Sequence, residues 1–292
     1  MQNKVKYFIK NIFKKDNNNW SICHFKSNKK DIIFSKNLSS KNFKNLNLFN
    51  PPKHEFWADP FLFRYKKKIY IFFEKYLKKE NRGIISVGEL RNNRLINIKD
   101  IFAENYHLSY PYIFRHNKKI YLVPESYQAK KLQLFESTNF PSKWKLVKNL
   151  FKNEKICDPT FFKHNNSLWL FINKTKKNLD NFNKKLFLYK INNDFSKITP
   201  HKKNPIKSSY IGGRSAGPII KLRDKIIRPA QIYKKNNYGF GIIFFEIKKL
   251  NIFEYREKKI SSITPKFFKK CRGIHHISNF KNEFVIDLNL IN

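Results

Sequence analysis

WADPFLFRYKKKIYIFFEKY (57–76), LSYPYIFRHNKKIYLVPESY (108–127) and ICDPTFFKHNNSLWLFINKT (156–175) align with one another without a gap. Each carries a Pro near its start, an apolar alternation, a basic or polar turn, and a second apolar run closing on a polar residue. In the first copy Phe61 and Phe63 share one face, residues 66–68 make the turn, and 69–73 form the returning strand, because strand side chains alternate with period two. A looser fourth copy, SAGPIIKLRDKIIRPAQIY (215–233), lacks one turn residue, and a fifth, IHHISNFKNEFVIDL (274–288), is looser again. The residues just before the Pro position are Asp59, Tyr110, Asp158, Gly217 and His276, at spacings of 51, 48, 59 and 59.

Further strand-like runs follow within each period: 84–90, 132–136, 186–190 and 242–247. Units of about 50 residues with three or four short strands each are the pattern of propeller blades. The fold class expected is therefore all-β, a five-bladed β-propeller. The last unit ends too early for a whole blade, and the strand-like runs 20–25 and 32–35 precede the first unit. Closing the ring with these N-terminal strands would remove an exposed sheet edge. No linker interrupts the chain, so residues 1–292 read as one domain, with 176–185 as a solvated loop.

The composition agrees with a β-rich core. Aromatics make up 16% of the chain, with 30 Phe and 14 Tyr, and hydrophobic residues 41%, which excludes wholesale disorder. The formal charge is +40, from 61 basic and 21 acidic residues, and only ten of the basic ones are Arg. Such a field attracts anionic lipid, acidic glycans or sugar nucleotides. The preference for Lys over Arg argues against sequence-specific reading of nucleic acid, where bidentate Arg is favoured. Cys23, Cys157 and Cys271 are odd in number and far apart, the spacing of free thiols rather than a disulfide framework or a zinc site. No apolar run reaches the length of a membrane span. In residues 1–15, Val5, Phe8, Ile9, Ile12 and Phe13 lie near helical spacing among lysines; this reads equally as a helix on an anionic membrane surface or as a packed terminal helix. The expected location is cytoplasmic, at most peripheral to the inner membrane.

In a propeller the first strand of each blade lines the central channel, so repeat phase brings Asp59, Tyr110, Asp158, Gly217 and His276 towards one axis whatever their sequence separation. A second polar position closes the next strand at Glu74, Glu125, Asn173 and Gln231. Asp59, Asp158 and Glu125 are the candidate catalytic carboxyls; as turn residues and solvated strand ends they also have structural readings. Trp57, Tyr110, His107, Arg214, Arg228, Gln231 and His276 are the candidate substrate-binding residues. An Arg within a strand core, such as Arg228, needs a carboxylate or an anionic ligand. Adjacent His275 and His276 would point to opposite faces of a strand, so no metal site is expected. No nucleotide-binding or nucleophile-elbow motif is present and no cofactor is expected.

The run WADPF…IYIFFE, HLSYPYIF…IYLVPES, CDPTFF and RSAGPII…RPAQ resembles the N-terminal domain of plant glucosamine inositolphosphorylceramide transferases and its stand-alone bacterial relatives, over roughly residues 50–290. That family is similar in fold to the five-bladed propellers of family 43 and family 32 glycoside hydrolases. The resemblance implies a carbohydrate context, with a glycan or sugar nucleotide as partner and surface-polysaccharide or lipopolysaccharide synthesis as setting. Family 43 hydrolases use a base, a pKa-tuning Asp and a Glu acid on three inner strands. Asp59 fits the first position, Tyr110 stands at the second and Asp158 at the third. Three outcomes follow: an enzyme making or breaking a glycosidic bond, a non-catalytic glycan-binding accessory to a transferase, or a basic surface protein that binds nucleic acid or membrane non-specifically, whose binding would weaken steeply with salt.

Overall fold

Five antiparallel sheets, each of four or five strands, are built in chain order. A computed structural model describes residues 19–35, 38–43, 45–175, 179–234 and 237–291. Blade 1 comprises Glu55–Tyr65, Lys68–Leu77, Arg82–Arg91 and Arg94–Phe102, paired in that order. Blade 2 runs from Ser109–His116 to Lys143–Lys152, and blade 3 from Lys155–His164 to Ile198–Pro200 with Lys207–Ser208 added. Blade 4 pairs Ile211–Ser215 and Ile220–Leu222 with Lys225–Lys234, then Asn237–Leu250 and Tyr255–Ile263. The short turns between first and second strands carry Lys, Asn or Arg at positive φ, as at Lys66, Asn117 and Arg223, a conformation Asn tolerates better than most residues.

Blade 5 closes the ring. Its inner strands, Cys271–Gly273 and Ile277–Phe280, pair with Glu283–Leu290, and that strand pairs in turn with Trp20–Lys26. The outermost strand is Asn47–Phe49. The N-terminal closure is as expected, but residues 32–35 are not its second strand. Lys29–Ile33 is a helix capped by Asn28, whose side chain accepts from the Lys30 amide. Ile32 and Ile33 are buried against Phe25, Phe43 and Phe284; two adjacent apolar residues satisfy a single helical turn as well as a strand. Residues 1–15 lie outside the described residues.

Apolar faces of neighbouring blades pack on each other. One cluster joins Phe61 and Phe72 of blade 1 to Leu122 of blade 2 and Leu170 of blade 3. A second joins Ile227 and Phe244 of blade 4 to Phe25 and Ile286 of blade 5. The three cysteines are free thiols, and burial pushes Cys23 up to about 12 and Cys271 to about 11.

Candidate functional site

Each of the first three inner strands carries the same irregularity, and it falls at the repeat-phased residue. The register slips between Ala58 and Phe61, between Ser109 and Tyr112, and between Cys157 and Thr160. Asp59, Tyr110 and Asp158 sit in these bulges at φ of +50°, +43° and +49°, and Gly217 takes φ +128°. Asp tolerates a left-handed backbone, but for Tyr110 it is a strained state that the surroundings must hold. Bulges aim side chains out of the regular pleat, and here the turned backbone presents its N–H groups inward.

Those N–H groups link the blades. The Tyr110 amide donates to Asp59 Oδ2 at 3.1 Å, and the Gly217 amide to the Tyr110 hydroxyl at 3.1 Å. The Asp158 amide donates to Glu125 Oε2 at 3.0 Å. Blade 5 joins through Asp287, whose carboxylate accepts from the amides of Asp59, His275 and His276 at 3.0, 3.0 and 2.9 Å. The phased residues therefore converge as the repeat implied. A Cβ on Gly217 would lie 2.0 Å from the Ile277 carbonyl, so this crossing requires glycine.

Above this floor lies a funnel whose cavity volume is about 50 Å³. Asp59, Glu74 and Glu125 supply its carboxyls, and Arg214, His107 and His275 its basic groups. Trp20, Phe56, Tyr127, Phe182 and Tyr238 form the aromatic wall. Ser109 and Cys157, each one residue before a bulge, complete the floor.

The carboxyls are tuned apart. Burial would raise Asp59, but the charge of His275, a hydrogen bond from His276 and the more distant Arg214 outweigh it and bring the group down to about 2. His275 Nε2 and His276 Nδ1 each lie 3.5 Å from Asp59 Oδ1. Desolvation alone would deprotonate His275, yet Asp287, 2.7 Å from its Nδ1, reverses the shift upward. Glu125 and Glu74 go the other way. Burial first, then Asp158 beside Glu125 and Asp59 beside Glu74, push both well above the usual carboxylate range. His107 is lowered to about 4, chiefly by burial; its Nδ1 accepts from the Gly83 amide and its Nε2 lies 3.5 Å from Glu74. The funnel thus holds carboxyls shifted in opposite directions, Asp59 towards its ionised form and Glu125 and Glu74 towards their protonated forms.

The other candidates take different places. Asp158 is only 2% exposed and faces Arg214, which donates to it through Nε and, at 3.3 Å, through Nη2. Arg214 Nη2 also lies 3.9 Å from Glu125, and its guanidinium stands over the Tyr238 ring at 5.2 Å. Arg228 is away from the funnel in a blade 4 pair, donating to both oxygens of Glu257 at 2.8 Å. Trp57 packs against Phe73 in the core and donates to Glu55, so it does not face a ligand. Gln231 donates to the Ser215 carbonyl and Asn173 to those of Lys185 and Gly213. Tyr110 and His276 lie beneath the funnel floor, their rings 5.2 Å apart.

The expectation that His275 and His276 diverge does not hold. Residues 274–276 are not in a strand, so alternation does not apply and both rings approach Asp59. Ligand atoms of Asp59, His275 and Asp287 lie within 4.8 Å of one another, the group among the described residues that could take a cation; the short His275–Asp287 pair fills that space with an internal ion pair. Of the expected loop 176–185, residues 176–178 lie outside the described residues, and Asn181–Lys184 is a helical turn that buries Phe182 in the funnel wall. Asp287, Tyr127, Phe182 and Tyr238 escaped sequence reading. The signal for Asp287 was a lone acid within the apolar run FVIDL.

The profile of the family described as glucosamine inositolphosphorylceramide transferase 1, N-terminal, matches residues 48–278. The glucosamine inositolphosphorylceramide transferase 1 of Oryza sativa subsp. japonica is 29% identical over 212 residues, covering 70% of this chain and 28% of that protein. The Arabidopsis thaliana protein of the same name is 31% identical over 209 residues, covering 70% and 27%. The chain therefore spans little more than a quarter of these relatives. Among solved structures, a thermostable family-43 glycoside hydrolase superimposes with TM-score 0.58 at 14% identity, covering 78% of this chain and 82% of that one. The catalytic domain of a Coprinopsis cinerea GH62 α-L-arabinofuranosidase gives TM-score 0.58 at 9% identity, covering 93% and 97%. At these identities the structural likeness concerns the fold.

Proposed function

We propose, for a chain that belongs to the glucosamine inositolphosphorylceramide transferase 1 N-terminal family, that the funnel binds a sugar and makes or breaks its glycosidic bond. The carbohydrate context rests on the family; the reaction rests on one arrangement, Asp59 and Glu125 lining one pocket with their acidities shifted in opposite directions. Glycosidic chemistry needs an ionised carboxylate and a protonated carboxyl across the bond. In the hydrolytic direction Glu125 gives its proton to the leaving oxygen as the C–O bond breaks, and Asp59 takes a proton from the attacking water. Asp158, the sequence candidate for the acid, becomes a positioning group through Arg214, which in turn faces Glu125. The aromatic wall suits the C–H faces of a pyranose. We take the chain as one domain acting in surface-polysaccharide or lipopolysaccharide assembly, on a glycan or a sugar nucleotide. Among the described residues no helix is long and apolar enough to cross a membrane.

A second reading is favoured by a specific feature: both carboxyl groups already accept backbone amides, Asp59 from Tyr110 and Glu125 from Asp158. A funnel so tied can serve recognition alone, as an accessory to a separate transferase. The test is a screen of the full chain against surface-glycan oligosaccharides and sugar nucleotides, with Asp59→Asn and Glu125→Gln in parallel. Turnover lost by about a hundredfold in either variant with binding retained supports the enzyme. Equal binding by all three proteins with no turnover supports the recognition module. Absence of binding to any glycan overturns both.

A further inference from the structure

The other end of the channel carries a second pocket, with a cavity volume of about 390 Å³. It is built from the far ends of the same inner strands. In each blade's first hairpin, the inner-strand residue just before the closing pair is fixed by register. Arg64 faces Ile69, Arg115 faces Ile120, Lys163 faces Leu168, Lys221 faces Ile226, and Asn279 faces Phe284. Four of the five blades therefore place a cation at one phase around the axis. Arg115, Lys163, Lys221 and Asn279 line the pocket, and Lys29 reaches it from the blade 5 closure.

Among the described residues no carboxylate lines this pocket, and none of these cations has an ion-pair partner. The contrast lies on the same hairpins. Lys68 and Lys119, a few residues further on, pair with Glu89 and Glu136 of the third strands at 2.8 and 3.1 Å. The scarce acids are spent there, while the ring is left positive. Arg115 is oriented by donating to the Arg64 carbonyl at 2.8 Å and by lying over the Phe63 ring at 5.0 Å. Lys221 Nζ stands 5.2 Å over Phe162. Phe114 and Phe161 stack in the lining at 4.7 Å. Like charges gathered on one pocket rim repel one another, and a multivalent anion relieves that repulsion by answering several of them at once.

We propose that this mouth of the channel is a binding site for a phosphate-rich anion, a diphosphate or a phosphorylated headgroup, separate from the funnel and independent of its chemistry. The shared ligand chemistry is clustered phosphate oxygens; the source is free in solution or borne on a membrane.

The test titrates the full chain with inorganic diphosphate by calorimetry, and separately with phosphatidylglycerol vesicles in a flotation assay. Three proteins are compared: wild type, the triple variant Arg115→Gln, Lys163→Gln, Lys221→Gln, and a charge-matched control, Lys79→Gln, Lys99→Gln, Lys152→Gln, at exposed positions outside the ring. The ring variant should weaken binding about tenfold or more in one arm, and the control less than about twofold, since pooled charge acts through screened long-range attraction. Loss in the diphosphate arm assigns a free phosphate ligand, and loss confined to the vesicle arm assigns a headgroup. Equal effects of ring and control variants in both arms, or no binding in either, overturn the proposal. Thermal melts of all three proteins show that the exposed substitutions leave the fold intact.

Discussion

Replacing Arg214 with Met removes the cation that answers Asp158 among the described residues. The carboxylate is buried and its described side-chain partners are Arg214 Nε and Nη2. Met keeps the aliphatic bulk but leaves the carboxylate uncompensated beside Glu125. Removing one partner of a buried ion pair costs about 3–5 kcal/mol, far more than an exposed pair returns. For a chain of this length, about 2 °C of melting temperature accompanies each kcal/mol, so Arg214→Met should melt about 6–10 °C below wild type. The companion is the double variant Arg214→Met, Asp158→Asn, which removes both charges. It should recover most of the loss, with a coupling of at least about 2 kcal/mol in a double-mutant cycle. Differential scanning calorimetry and urea titration at neutral pH give both numbers. A single variant within about 1 kcal/mol of wild type, or a double variant as unstable as the sum of its parts, would refute the assignment of Asp158 to Arg214.

Glu257 is held at about 2: burial alone would raise it, but Arg228 and then Lys207 outweigh that. Its folded value lies below the ordinary 4.5, so its stabilisation is complete above the unfolded value and is lost as pH falls towards about 2. The stability gap between wild type and Glu257→Gln should narrow by about 1–2 kcal/mol from about pH 5 to about pH 3, and a constant gap in urea midpoints would contradict it. Gly217→Ala places a Cβ 2.0 Å from the Ile277 carbonyl at φ +128° and should cost at least about 2 kcal/mol by urea titration; a neutral result would show that blades 4 and 5 cross differently. Tyr110→Phe removes the hydroxyl that accepts from the Gly217 amide and meets Thr160 Oγ1 at 2.8 Å. It should lose about 1–3 kcal/mol and speed amide exchange at Gly217; unchanged exchange would count against that bond.

The blades were legible because a repeated hairpin states its own register: the Pro position, the turn and the polar strand end recur in phase in the first three copies. Phase also carried Asp59 and Tyr110 to the axis, Asp158 to Arg214 behind it, and Glu74 and Glu125 to the funnel, since position in a repeat fixes position in the ring. Residues outside that phase were not legible. Trp57 looked like a ligand platform, but its neighbour position points into the space between blades, where Phe73 waits. Arg228 read equally as an ion pair, and Glu257, its partner, lies on the fourth strand beyond the repeated hairpin. Phe182 and Tyr238 reach the funnel from an insertion and from a third strand, neither of which the repeat describes. Asp287 sits in the loosest copy, where the alignment no longer told which acid faces the axis.

The central claim is that one funnel holds an ionised Asp59 and a protonated Glu125, and the most direct test is to read their protonation. Infrared spectra of the full chain at neutral pH, compared with those of Glu125→Gln and Glu74→Gln, resolve protonated carboxyl bands from carboxylate bands. The account predicts a protonated band that loses one component in each Glu variant, and a carboxylate component missing in Asp59→Asn. A wild-type spectrum with no protonated carboxyl at neutral pH would contradict it.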